Sequence, residues 1–195
     1  HGGTLTIESG TYSNEHSSAG YAIYNGGSLY VNGGTIKATE NYGTAVCNRF
    51  TTKTENDSSS QIYMKMTGGK IESNCWGVSL FGKGPENNPD HDSLIFDMSG
   101  GEIFVDGPYG GQGICTNATG GIYAGFTINL TDTAKVTVKD EEGCGMYLPG
   151  PGITNISDDV EISSVNQGIR IAAGTLNING GTISNNDDHD ETVDI

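Results

Sequence analysis

The chain has 195 residues, 9 basic and 24 acidic, with a formal net charge of −15 at pH 7. That length favours one domain, and that charge argues against a nucleic-acid partner. Ile, Val and Thr (18, 9 and 20 residues) outnumber Leu and Ala (7 and 9) by 47 to 16, which argues against a helical bundle; no apolar run reaches membrane-span length, and no signal peptide is visible.

Taken in chain order, one phrase recurs. It reads TLTIESGTYSNE from residue 4, SLYVNGGTIKATEN from 28, QIYMKMTGGKIESN from 61 and SLIFDMSGGEIFVD from 93. It returns as FTINLTDTAKVTVKD from 126, ITNISDDVEISS from 153 and TLNINGGTISNND from 175. Each copy is an alternating strand, a Gly-Gly or Asp-containing corner, and a second alternating strand. A third short strand follows six copies: Ala22-Ile23, Ala45-Val46, Gly77-Val78, Gly113-Ile114, Gly145-Met146 and Gly168-Ile169. The shortest turns are 22 to 24 residues and three longer ones are 32 or 33.

Recurrence of the same strand at a fixed phase predicts a solenoid rather than a sandwich of hairpins. The expected fold is all-β: a single-stranded, right-handed parallel β-helix of about seven coils with three short strands per coil, one domain over 1–195. At about 4.8 Å per strand spacing the rod is roughly 30 Å long.

The alternation predicts the inward ladders. The first strand contributes Leu5, Leu29, Met64, Phe96, Ile128 and Leu176, and a second column of Ile7, Val31, Met66, Met98, Leu130, Ile156 and Ile178. The second strand contributes Ile36, Ile71, Ile103, Val136, Ile162 and Ile183; the third contributes Ile23, Val46, Val78, Ile114, Met146 and Ile169. Asn25 and Asn48 align at the end of the third strand and suit a short amide ladder. No amphipathic capping helix is legible at either end. We expect an excised segment of a longer protein, or a charged cap formed by the tail NNDDHDETVDI.

Cys47, Cys75, Cys115 and Cys144 lie outside any zinc spacing. The two gaps of 28 and 29 residues raise Cys47/Cys75 and Cys115/Cys144 as disulfide pairs, but the register does not place the partners opposite one another. Four separate, partly buried thiols are the favoured reading.

The phrases GGTLTI, NGGSLYVNGGTI and AAGTLNINGGTISNN resemble bacterial right-handed parallel β-helix proteins of the pectate-lyase-like superfamily, in particular β-helical carbohydrate-binding and adhesin surface domains of Firmicutes. The resemblance covers nearly the whole chain, but its motif specifies a coil and not a ligand. It implies an extracellular location, at the cell surface or cell wall, and contact with Ca²⁺ or polysaccharide.

Catalysis is not expected. Gly168-Ile169-Arg170-Ile171 is similar to a GxRI element of polygalacturonases, but their Asn-Thr-Asp run and His-Gly pair are absent. The ladder beside Arg170, expected to face outward, is Tyr24, Cys47, Ser79, Cys115 and Tyr147, and it holds no carboxylate for acid/base work. No nucleophile motif or phosphate loop occurs.

Candidate ligand-binding residues are Tyr42, Trp76 and Tyr109, at the junction of the second and third strands in consecutive coils. Aromatic faces stack on sugar rings, and one coil rises by about one sugar unit of an extended polymer. A single aromatic plug over the core is an equally good reading of Trp76. Phe50 and Tyr123 belong to the insertions of the longer turns, RFTTKTENDSSS and NATGGIYAG, which, with GKGPENNPDHD, are expected at one corner. Asp106 and Asp140 end the second strand on adjacent coils and are candidate Ca²⁺ ligands, the alternative being no cofactor. The sequence therefore predicts a noncatalytic module that binds polysaccharide or host glycan. The alternatives are a structural or adhesin segment binding a protein partner such as a host surface protein, and a polysaccharide lyase or hydrolase.

Overall fold

The computed structural model describes residues 3–16, 20–49, 61–81, 92–116 and 125–186. Every described regular element is a β-strand, and all pairing is parallel.

Three sheets run along the axis. The first stacks, in this order, β1 (Thr4–Ile7), β4 (Ser28–Val31), β7 (Ile62–Met66), β10 (Asp92–Met98), β13 (Gly125–Leu130), β16 (Gly152–Ile156) and β19 (Thr175–Ile178). The second stacks β2 (Thr11–Ser13), β5 (Thr35–Ala38), β8 (Lys70–Ser73), β11 (Glu102–Val105), β14 (Lys135–Val138), β17 (Glu161–Ser164) and β20 (Thr182–Asn185). The third stacks β3 (Tyr21–Asn25), β6 (Thr44–Arg49), β9 (Trp76–Phe81), β12 (Gln112–Thr116), β15 (Cys144–Leu148) and β18 (Gln167–Ile171). Successive strands of one sheet thus lie three elements apart in the chain. That arrangement is a parallel β-helix of about seven coils, right-handed as parallel crossovers are.

The expected ladders are in register. Leu5, Leu29, Met64, Phe96 and Ile128 are successive Cα partners, as are Ile36, Ile71, Ile103, Val136, Ile162 and Ile183. Thr154 fills the rung between Ile128 and Leu176, a polar residue in an apolar column. Most of these side chains are fully buried in one continuous core, with Phe96 the largest of them. Each residue packs against its equivalents one coil above and below, so burial depends on stacking.

The corner between the first and second strands shows why Gly recurs. Gly34, Gly69 and Gly101 have φ of 75°, 82° and 83°. A Cβ at Gly69 would sit 2.8 Å from the backbone of Gly33 and Gly34 in the coil before, so both conformation and space demand glycine.

Asn25 and Asn48 form the expected ladder inside the rod. Asn25 Nδ2 donates to Asn48 Oδ1 (2.8 Å) and to Tyr63 O (3.0 Å), while Asn25 Oδ1 accepts from Gly27 N (3.0 Å).

All four cysteines are free thiols and buried. Cys47 is level with Ser79 and Cys144 with Gln112, so neither proposed pair is juxtaposed. One orientation is corrected. Cys47, Ser79 and Cys115 alternate with the core residues as expected, yet their relative exposures are 0%, 0% and 2%, so this stretch of the third sheet is covered rather than open.

Candidate functional site

The corner between the second and third strands carries the aromatic candidates. In the third coil this corner is only Asn74-Cys75, between Ser73 and Trp76. The coils on either side use longer corners, 39–43 and 106–111, and these close over the short one. Tyr42 and Tyr109 meet there, with ring centroids 4.5 Å apart and planes at 46°. The Tyr109 hydroxyl donates to Asn41 Oδ1 (3.2 Å). Trp76 does not join them; its ring packs edge-on against Phe81 at 5.9 Å. The three rings therefore form a pair and a separate edge contact, not an even row. Phe50 and Tyr123 lie outside the described residues.

The register separates Asp106 from Asp140. Val105 pairs with Val138, which puts Asp106 level with Lys139, one residue short of Asp140. Asp106 is exposed, whereas Asp140 is 5% exposed and turned into the corner. Asp140 Oδ2 accepts from Tyr109 N (2.9 Å) and Gly111 N (2.7 Å), and Oδ1 accepts from Glu142 N (2.9 Å). Its carboxylate braces the loop that carries Tyr109. Asp106, Pro108, Lys139 and Glu141 line a shallow hollow of about 540 Å³ beside it. Among the described residues, no group of three or more His, Cys, Asp or Glu side chains converges to hold a metal ion.

The outward faces of the three sheets differ. On the second, charges alternate along the axis: Lys37 and Lys70 reach Glu72 at 2.6 and 2.9 Å, Lys70 lies 3.6 Å from Glu102, and Lys135 pairs with Glu161 at 3.1 Å. Lys70 also sits 4.6 Å above the Phe104 ring. Of these, Lys37–Glu72, Lys70–Glu102 and Lys135–Glu161 cross between strands and favour the register. On the third, Arg170 lies over the Tyr147 ring at 5.1 Å, next to the covered Cys115 stretch. Burial raises the pKa of all four thiols, Cys75 to about 11, so they are poor nucleophiles.

The first sheet carries the most regular outward array. Its register aligns Tyr30, Lys65, Asp97, Asn129, Asn155 and Asn177 in one column. Asn177 Nδ2 donates to Asn155 Oδ1 (2.9 Å), Asn155 Nδ2 to Asn129 Oδ1 (2.8 Å), and Asn129 Nδ2 to Asp97 Oδ1 (2.7 Å). The Tyr63 hydroxyl donates to the other Asp97 oxygen (2.8 Å), and Tyr30 packs edge-on to Tyr63 at 5.7 Å. The neighbouring column is Tyr63, Ile95, Thr127, Ile153 and Thr175. None of the residues of this outward column is among the candidates named from the sequence, which lie at corners and in insertions. The signal was present in the aligned repeats, whose outward position reads Tyr, Lys, Asp, Asn, Asn, Asn.

Fold and faces together define a parallel β-helix whose first sheet carries an outward amide ladder. Comparisons with family models, with curated proteins and with solved structures find no match to this chain.

Proposed function

We propose that this chain is a noncatalytic, cell-surface β-helical module that binds polysaccharide or glycan through an exposed strand face. The observation that carries this reading is the Tyr30–Tyr63 ring pair on the first sheet. Tyr63 is held in place by Asp97 and packs edge-on against Tyr30, so the pair presents a fixed aromatic surface on a partly exposed strand face. Such a surface stacks on the apolar face of a sugar at little entropic cost. Two carboxylates at the candidate corner and face are engaged: Asp140 holds three backbone amides, and Asp97 accepts from Tyr63 and Asn129. This supports binding over acid/base chemistry. Affinity electrophoresis through gels containing pectin, cellulose derivatives or mucin tests the reading. Retardation in at least one gel, reduced in a Tyr30→Ala variant, is expected; free migration in all of them rejects it, and release of unsaturated uronic sugars would make the protein an enzyme.

A further inference from the structure

Resting on that glycan-binding reading, we infer that the Asp97–Asn129–Asn155–Asn177 ladder is a subsite row for an uncharged, extended polysaccharide lying parallel to the rod axis. A primary amide has two N–H donors and two acceptor lone pairs. The ladder bonds of Asn129 and Asn155 use one donor and one lone pair each. Each of these rungs therefore keeps one donor and one acceptor for a ligand, the complement of a hydroxyl group. Rungs repeat at the strand spacing of about 4.8 Å, so the pattern recurs along the axis as hydroxyls recur along a polymer.

The column beside the amides supplies the apolar half of the match. Ile95, Thr127 and Ile153 present methyl groups alongside the Asn row, and Ile153 is 42% exposed. A sugar ring has the same division, with C–H groups on its faces and hydroxyls at its rim. Tyr30 and Tyr63 close one end of the row.

Charge selects the class of polymer. The strands bearing the Asn rungs, GFTINL, GITNI and TLNI, contain no Asp, Glu, Lys or Arg. Lys65 is the only basic residue in the seven strands of this sheet, and Asp97 is its Cα partner. A face without net positive charge, on a chain of net charge −15, repels a polyuronate and tolerates a neutral chain.

The test is calorimetric titration of the whole protein with neutral β-linked oligosaccharides of increasing length, with oligogalacturonate in parallel. Affinity should rise with length until the four rungs are occupied, then level off, with the neutral series preferred. Asn155→Ala and Asn177→Ala should each lower affinity at least fivefold. Lys37→Ala, on the second sheet, should leave it unchanged, and melting temperatures should confirm that all variants fold. Binding of oligogalacturonate alone, or neutral binding insensitive to both Asn variants, overturns the ladder while leaving glycan binding intact. Absence of any binding overturns both. Concentration-dependent dimerisation lost in Asn155→Ala would show that the face pairs with a second copy instead, and overturns the inference.

Discussion

Tyr42 and Tyr109 stack at a centroid distance of 4.5 Å although the third coil lies between the coils that carry them. The two-residue corner Asn74-Cys75 makes this possible, because it leaves a notch that the longer corners bridge. Aromatic pairs contribute about 0.5–1.5 kcal/mol beyond area burial, and the 57% exposure of Tyr42 places this one at the lower end. Tyr42→Ala and Tyr109→Ala should therefore be non-additive, with a coupling of about 0.5 kcal/mol in a urea double-mutant cycle. Strict additivity would remove the bridge as a source of stability.

The buried amides Asn25 and Asn48 are unequal partners. Asn25→Ala leaves Gly27 N and Asn48 Oδ1 without these partners and takes the side-chain donor from Tyr63 O, which stays in the ladder of the first sheet, whereas Asn48→Ala removes one acceptor of Asn25 and a weak contact to Met64 Sδ. Unsatisfied buried groups cost about 1–3 kcal/mol each. Asn25→Ala should lower stability by about 3 kcal/mol and Asn48→Ala by about 1 kcal/mol, read as urea midpoints at constant slope.

Asp140 offers a direct contrast between a brace and a metal ligand. Asp140→Ala strands the amides of Tyr109, Gly111 and Glu142 and should cost about 2–4 kcal/mol. Because both carboxylate oxygens are already engaged, adding Ca²⁺ or a chelator should leave the wild-type melting temperature unchanged. A chelator-induced fall would instead establish bound calcium.

Tyr63 should titrate late. Its pKa is pushed up to about 12, first by burial and then by its hydrogen bond to Asp97 and that group's charge. The raised value favours the neutral phenol in the fold. Its stabilising share is complete below the unfolded pKa of about 10 and is lost as pH rises through about 12. In a spectrophotometric alkaline titration, Asp97→Asn should lower the Tyr63 pKa, leaving the part that burial causes.

Glu72 gives the opposite sign. The hydrogen bond from Lys37, aided by Lys70, holds its carboxyl below the usual range. That contribution is present above the unfolded value of about 4.3 and disappears as pH falls through the depressed pKa. Glu72→Gln should lose about 0.2–1 kcal/mol at neutral pH, as partly exposed ion pairs do. The gap to wild type should close in acid denaturation.

The period and inward faces were legible because burial imposes a strict alternation, and a one-residue slip would turn each strand inside out. That constraint located the predicted core columns, including the Asn25–Asn48 pair, although Leu5, Ile178 and Ile183 at their ends are exposed because no further coil covers them among the described residues. It does not act at corners, where length varies, so Asp106 and Asp140 came out misaligned and Trp76 parted from the tyrosines. It also leaves the outward residues free to be open or covered. Cys47 and Asn155 occupy equivalent outward positions on their strands, yet the first is buried and the second partly exposed. Only three-dimensional packing tells them apart.

Parallel, in-register stacking has a consequence for how such a chain can change size. Duplicating a whole winding, such as residues 153–174, would move every column along by one step and keep each residue facing as before. The amide row would simply become longer. Adding one residue inside a strand would instead exchange interior and surface for the rest of that segment. Growth by complete windings, with reach for an elongated ligand increasing in proportion, is the change this architecture accommodates.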